Sequence, residues 1–157
     1  MEVSAAARTE LDKRFRVAVI IVASQIASTL AFAIIAFLFV KSAENPAPFE
    51  TLMPLWVGVL FIAVGAFLLR RILFNWERLK NAALLKGVSG LLQTLQKNAI
   101  LLGAMAESIA ILGIVIAFLS GSNWEMLRAG AISLVVFAIN FPRKSLWTKI
   151  VSSLENK

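Results

Sequence analysis

The apolar residues of this chain fall into four long blocks, separated by short stretches that carry nearly all the charge. Val17 to Val40 runs 24 residues without a charged side chain, and Leu52 to Leu69 runs 18. Ala99 to Leu119 runs 21, broken only by Glu107, and Ala129 to Phe141 runs 13. A helix rises 1.5 Å per residue, so a run of about 20 residues matches a hydrocarbon core about 30 Å thick. Apolar positions in a soluble domain recur at helix or strand period instead of filling whole blocks. The pattern predicts an all-α integral membrane four-helix bundle forming a single domain over 1–157. The spans are expected at about 17–40, 52–72, 98–120 and 126–142. The fourth is long enough only if it starts near Met126 and Arg128 snorkels to the interface. Trp124 and Trp147 flank it at distances suited to interfacial belts. The first block exceeds the 7 to 15 apolar residues of a signal peptide core and reads as a retained span.

The connection between the second and third spans has its own period. Leu84, Val88, Leu91 and Leu95 recur at intervals of four, three and four, and Leu85 and Leu92 widen the stripe. This predicts an amphipathic inner connecting helix over about 76–97, weakened by Gly87 and Gly90. It would lie in the headgroup plane or extend the third span. Pro46 and Pro48 make the outer loop, Lys41 to Thr51, extended. Pro142 closes the fourth span, and the basic tail beyond it is expected at the membrane surface.

Charge sets the orientation. Arg8, Lys13, Arg14 and Arg16 precede the first span; Arg70, Arg71, Arg78, Lys80, Lys86 and Lys97 lie between the second and third; Arg143, Lys144, Lys149 and Lys157 follow the fourth. The other two connections hold only Lys41 and Arg128, a division of 14 against 2. Basic residues mark cytoplasmic flanks, so both termini are expected in the cytoplasm. The four spans together look like those of small bacterial membrane proteins, a resemblance that implies the cytoplasmic (inner) membrane of a bacterium. The basic residues would attract anionic lipid headgroups on the cytoplasmic side, at about 1 kcal/mol each. The net charge of +7 is thus a topology signal and implies no nucleic-acid partner, since the cations form no continuous soluble face.

Composition removes most chemistry. The chain has no His, so the usual general base is missing, and no Cys, so there is no thiolate site. No phosphate-binding glycine loop and no metal-spaced acidic cluster appears. The expectation is a non-enzymatic protein with no cofactor and no metal.

Glu107 is the exception. An ionisable group near the middle of a span costs about 2.5 to 3.5 kcal/mol on insertion scales, which makes it a functional candidate. Beside it run Gly103, Ala106, Ala110, Gly113 and Ala117, spaced three, four, three and four apart. Such small-residue seams let helix backbones approach closely in a bilayer, so the seam is expected to face another helix. The cheapest arrangement keeps Glu107 protonated, with Ser28 and Thr29, at nearly its depth, and Gln25, about one turn nearer the cytoplasm, as possible hydrogen-bond partners.

The stretch Leu101-Leu-Gly-Ala-Met-Ala-Glu-Ser-Ile-Ala-Ile-Leu-Gly-Ile-Val-Ile-Ala-Phe-Leu119 resembles the second helix of the c subunit (proteolipid) of rotary ATP synthases. In that family a carboxyl in such a setting takes up and releases a proton or sodium ion. The resemblance covers about 20 of the 157 residues, and span one lacks the glycines of that family's first helix. Glu107, with its neighbours Gly103 and Ala106, is the part that carries over, as an ion-binding candidate.

Two functions follow. One is an accessory or scaffold subunit of a membrane complex or homo-oligomer, with Glu107 as a structural or partner-contacting carboxyl. The other is a proton- or cation-binding, proteolipid-like subunit using Glu107. A protein that works through its basic lipid-facing surface is a third.

Overall fold

A computed structural model describes residues 5–40 and 46–155, the last two by backbone alone. Lys41 to Asn45, Asn156 and Lys157 lie outside the described residues, so two of the cations in the charge division do too. The described chain is all-helical: α1 Ala5–Phe39, α2 Phe49–Leu73, α3 Trp76–Ser120, α4 Asn123–Asn140 and α5 Lys144–Glu155. Four stretches, Ala5–Phe39, Phe49–Leu73, Trp76–Ser120 and Asn123–Ser153, are long and apolar enough to cross a membrane. In the last of these the apolar part is α4, whose 18 residues rise about 27 Å.

Helix α3 is central, and the contacts along it fix the direction of its neighbours. Gly65 and Gly58 of α2 face Met105 and Leu112, at 3.5 and 3.6 Å from where a Cβ would stand. Leu73, at the end of α2, accepts a hydrogen bond from Asn98 Nδ2 at 3.1 Å, while Ala47, before α2, donates to Leu119 O at 3.0 Å. So α2 runs antiparallel to α3. On α4, Ala129 and Met126 lie against Gly113, and Ser133 donates to Ala106 O at 2.6 Å, again antiparallel. Helix α1 runs parallel to α3, with Glu10 bonded to Ser89, Gln25 on Gly103, and Ala36 packed with Ala110 and Ala117.

The buried faces explain this packing. Leu52, Val59, Ala66 and Leu73 are the buried residues of α2, each seven after the last. On α1, Leu11 and Ala18 form one such pair, and Val22, Thr29 and Ala36 another row. A period of seven keeps one stripe turned to a neighbour when helices wrap with a left-handed twist. Between these positions the helices expose large apolar side chains, among them Phe37, Phe39, Phe61 and Phe67.

At the basic end the connector takes the second of its two expected placements after Gly87: residues 88–120 form one continuous helix that extends the third span, and the break sits at Gly87 (φ 65°, ψ −172°). Only glycine adopts that conformation at little cost. The expected stripe is cut there. Leu91, Leu92 and Leu95 are buried, but Leu84 and Leu85 are 74% and 82% exposed, because the turn at Gly87 aims the preceding segment elsewhere. Trp147 does not face outwards, as a belt residue would. It is 1% exposed, inside a cluster with Leu11, Ala18, Leu91, Leu92, Leu95, Ile150 and Val151, and meets Phe15 edge-on at 5.5 Å between ring centroids. Trp147, Ile150 and Val151 recur at three and four residues, giving α5 one apolar stripe, and that stripe docks the tail onto α1 and α3. Residues 5–16 extend α1 into the same cap, which the expected start at Val17 omitted. Helix α4 runs 123–140, with Phe141 as its C-cap ahead of Pro142. Of the outer loop expected to be extended from Lys41 to Thr51, residues 46–48 lie outside any helix, with Pro48 extended at φ −63°, ψ 151°, but 49–51 already belong to α2, because a proline restricts the residue before it and not those after it; 41–45 lie outside the described residues.

Candidate functional site

Glu107 stands near the middle of the apolar run Ala99–Leu119 of α3, on the border between the buried and exposed arcs of the helix, and is itself half-buried. At 3.6 residues per turn, Ile100, Ile111 and Phe118 lie within about 40° of it round the helix. Ile111 and Phe118 are exposed. On its other flank Gly103 and Ala110 are buried. Its surroundings are therefore apolar along the helix, and no Lys or Arg lies between Val17 and Val40, Leu52 and Leu69, or Ala129 and Phe141.

All five small residues beside it are buried: Gly103, Ala106, Ala110, Gly113 and Ala117. They serve two neighbours. Gly103 faces Gln25 and Val22 of α1, whereas Gly113 faces Ala129 and Met126 of α4. Ala106 gives its carbonyl to the fully buried Ser133 hydroxyl. This satisfies Ser133 in the core and ties α4 to α3 one residue from Glu107.

The polar groups of α1 turn elsewhere. Thr29 is buried and donates to the Gln25 carbonyl at 3.2 Å. The Gln25 amide lies over Gly103, one helical turn from Glu107 towards the basic end, and its buried Oε1 has no partner. Among the described residues, neither Ser28 nor Glu107 makes a side-chain hydrogen bond, and Glu107 has no ion pair. The structure thus brings Gln25 and Gly103 together, close to Glu107, but joins none of Gln25, Ser28 and Thr29 to its carboxyl. No group of three His, Cys, Asp or Glu side chains that could hold a metal ion occurs among the described residues.

Other polar groups were not singled out from the sequence. At the end opposite the basic one, Glu125 accepts from Trp56 Nε1 at 3.1 Å and from Arg128 at 3.0 Å, so α2 is tied to α4 there. At the basic end Glu10 accepts from Ser89 at 2.6 Å and from Arg14 at 2.9 Å, and Lys144 pairs with Asp12 at 2.8 Å. The Ser89 hydroxyl, then Arg14, hold the Glu10 carboxyl below its ordinary range. Lys144 does the same for Asp12. Glu10–Arg14 and Glu125–Arg128 pair at helical spacing and could have been read from sequence. The partners from other elements could not.

Comparison with protein-family models, curated proteins and solved structures found no match to this chain.

Proposed function

We propose that this chain is a small, non-enzymatic four-helix integral membrane protein, with both termini in the cytoplasm, acting as an accessory or scaffold subunit. The observation that carries the reading is Glu107: a carboxyl set among apolar side chains at the edge of the α1–α3 contact, with no bond to any of the described residues. A buried or lipid-facing polar group without a partner is costly. A carboxyl that only fixed helix register would bond within its own chain, as Ser133 does. One at the border of an exposed arc can instead meet a polar group on another protein's helix. The exposed phenylalanines of α1 and α2 and the basic flanks support insertion with the basic end inside.

The test is purification in gentle detergent, with quantitative mass spectrometry of what accompanies the chain. The wild type should retain a defined membrane partner or a second copy. Glu107→Gln keeps the size and hydrogen bonding and should retain it; Glu107→Leu should lose it. Equal retention by the Leu variant would contradict a partner-contacting carboxyl. The same unengaged carboxyl favours the second reading, in which Glu107 binds a proton or cation. That reading requires the Gln variant to lose activity.

A further inference from the structure

Beyond Glu107, the strongest feature is a cavity of about 300 Å³ where the basic ends of α2, α3 and α5 meet. We propose that this cavity binds the headgroup phosphate of an anionic membrane phospholipid. The inference rests on the membrane reading above and names a ligand class and a site that the reading lacks.

The chemistry of the lining points to an anion. Arg70 from α2 and Lys149 from α5 supply two positive charges, Trp76 and Ser153 supply further polar groups, and no acidic residue lines the cavity among the described residues. Arg70 Nη1 donates to the Ile139 carbonyl, which orients the guanidinium. Its remaining N–H groups, the Lys149 ammonium and the Trp76 indole N–H donate to no described residue. A phosphodiester has the charge and the acceptor oxygens for these donors, and charge-assisted bonds of this kind are the stronger ones.

The position points to a lipid. Arg70 directly follows the uncharged run that ends at Leu69, so the cavity opens at the level where hydrocarbon gives way to headgroups. Leu79 and Ile150 are buried and give the cavity apolar walls, on which a glycerol or the start of an acyl chain can rest. Immediately after Trp76, the segment up to the Gly87 break carries Leu84 and Leu85 exposed beside Arg78, Lys80 and Lys86. Apolar residues beside lysines on a short helix are what an interfacial segment presents to a bilayer. A basic pocket between helix ends on the cytoplasmic side is a recurrent site for anionic headgroups.

The test uses the full chain, extracted with its membrane and then delipidated in mild detergent. It is offered equal amounts of phosphatidylglycerol and phosphatidylcholine, and mass spectrometry of the intact protein counts the retained lipids. Wild type should retain phosphatidylglycerol preferentially. Lys149→Gln and Arg70→Gln should each lower that preference about fivefold, the share one cation contributes near an anionic surface. Arg70→Gln also removes the bond to Ile139, so Lys149→Gln, whose side chain is exposed and bonded to no described residue, is the deciding variant. Lys13→Gln, exposed on α1 and outside both the cavity and the segment before Gly87, should leave the preference unchanged. Equal retention of both lipids by wild type would overturn the assignment. So would an equal loss in Lys13→Gln, which would mean a diffuse basic surface. Full displacement of the lipid by excess inorganic phosphate would reassign the cavity to free phosphate. A protein that washes off membranes in alkaline carbonate would refute the membrane reading itself. An embedded protein without headgroup preference refutes only the cavity.

Discussion

The side-chain amide of Gln25 occupies the space that a Cβ on Gly103 would need. Gln25 Cδ lies 3.2 Å and Val22 Cγ2 3.5 Å from that position, with Gln25 Oε1 nearer still. Gly113 is equally tight, but what meets it is Ala129 Cβ, with Met126 Sδ at 3.3 Å and the Ala129 Cα at 3.7 Å. The difference has consequences. The end of Gln25 is flexible, and its Oε1 has no bond to lose. Ala129 cannot move without α4. Gly103→Ala should therefore be mild, whereas Gly113→Ala should show the about 1 to 3 kcal/mol typical of overpacking. Detergent unfolding of the two variants checks this. A larger loss at Gly103 would contradict the division of the seam between α1 and α4.

Trp147 anchors the cap at the basic end. Removing it leaves a void among Phe15, Leu91 and Leu95, and a large-to-Ala change in such a site costs about 3 to 5 kcal/mol. Trp147→Ala should loosen α5 and residues 5–16 while leaving the centres of α1 to α4 intact. Hydrogen exchange by segment measures this. Uniform loss of protection along the whole chain, or no loss at α5, would contradict a locally anchored cap.

Acid should loosen the same cap. The Ser89 hydroxyl and Arg14 hold Glu10 below its ordinary 4.5, and Lys144 holds Asp12 below its ordinary 3.8. Groups with lowered folded values stabilise above their unfolded values and lose that contribution as pH falls through the folded ones. The effect should thus appear below about pH 4 and be absent between pH 6 and 8. Asp12 is exposed and Glu10 only partly buried, so the change is small and should shrink in high salt. Asp12→Asn should remove the acid dependence of α5 protection in hydrogen exchange. Greater protection of α5 in acid would contradict the sign.

Glu107 separates the two functional readings. A hydrophobic carbodiimide reacts with a protonated carboxyl in an apolar setting. A proton or cation carrier should be labelled at Glu107 selectively, less as pH rises or on adding the bound cation, and its Gln variant should be inactive. A partner-contacting carboxyl predicts a functional Gln variant and a failing Glu107→Lys, which forces a cation to mid-span. Mass spectrometry of treated membranes across pH, paired with these variants, decides between them. No labelling at any pH together with an active Gln variant would end the carrier reading.

The long apolar blocks made the helices legible from sequence, because length and the absence of charge suffice to predict them. The cap was not, because its parts come from three distant segments. Residues 5–16 look like a charged leader until Leu11 and Phe15 are set against Leu91, Leu95 and Trp147. Gly87 was recognised as a weakness, but periodicity alone does not say that its φ is positive and that the stripe ends there. At the site, Glu107 and the small residues beside it stood out by chemistry and spacing. Which way the Gln25 amide turns depends on its rotamer and on the room above Gly103, and one-dimensional depth matching does not contain either.

In the reading proposed above, the protein crosses the membrane four times with its basic end in the cytoplasm. The chain has no native cysteine, so single cysteines report without background. They would be placed at Asn45 and Ser122, at the exposed Lys86, and at Asn156; Asn45 and Asn156 lie outside the described residues. Intact spheroplasts are treated with an impermeant thiol reagent, then permeabilised and treated again. A cytoplasmic basic end predicts labelling at 45 and 122 before permeabilisation, and at 86 and 156 only after it. Labelling of 86 or 156 in intact spheroplasts, with 45 and 122 protected, would contradict it.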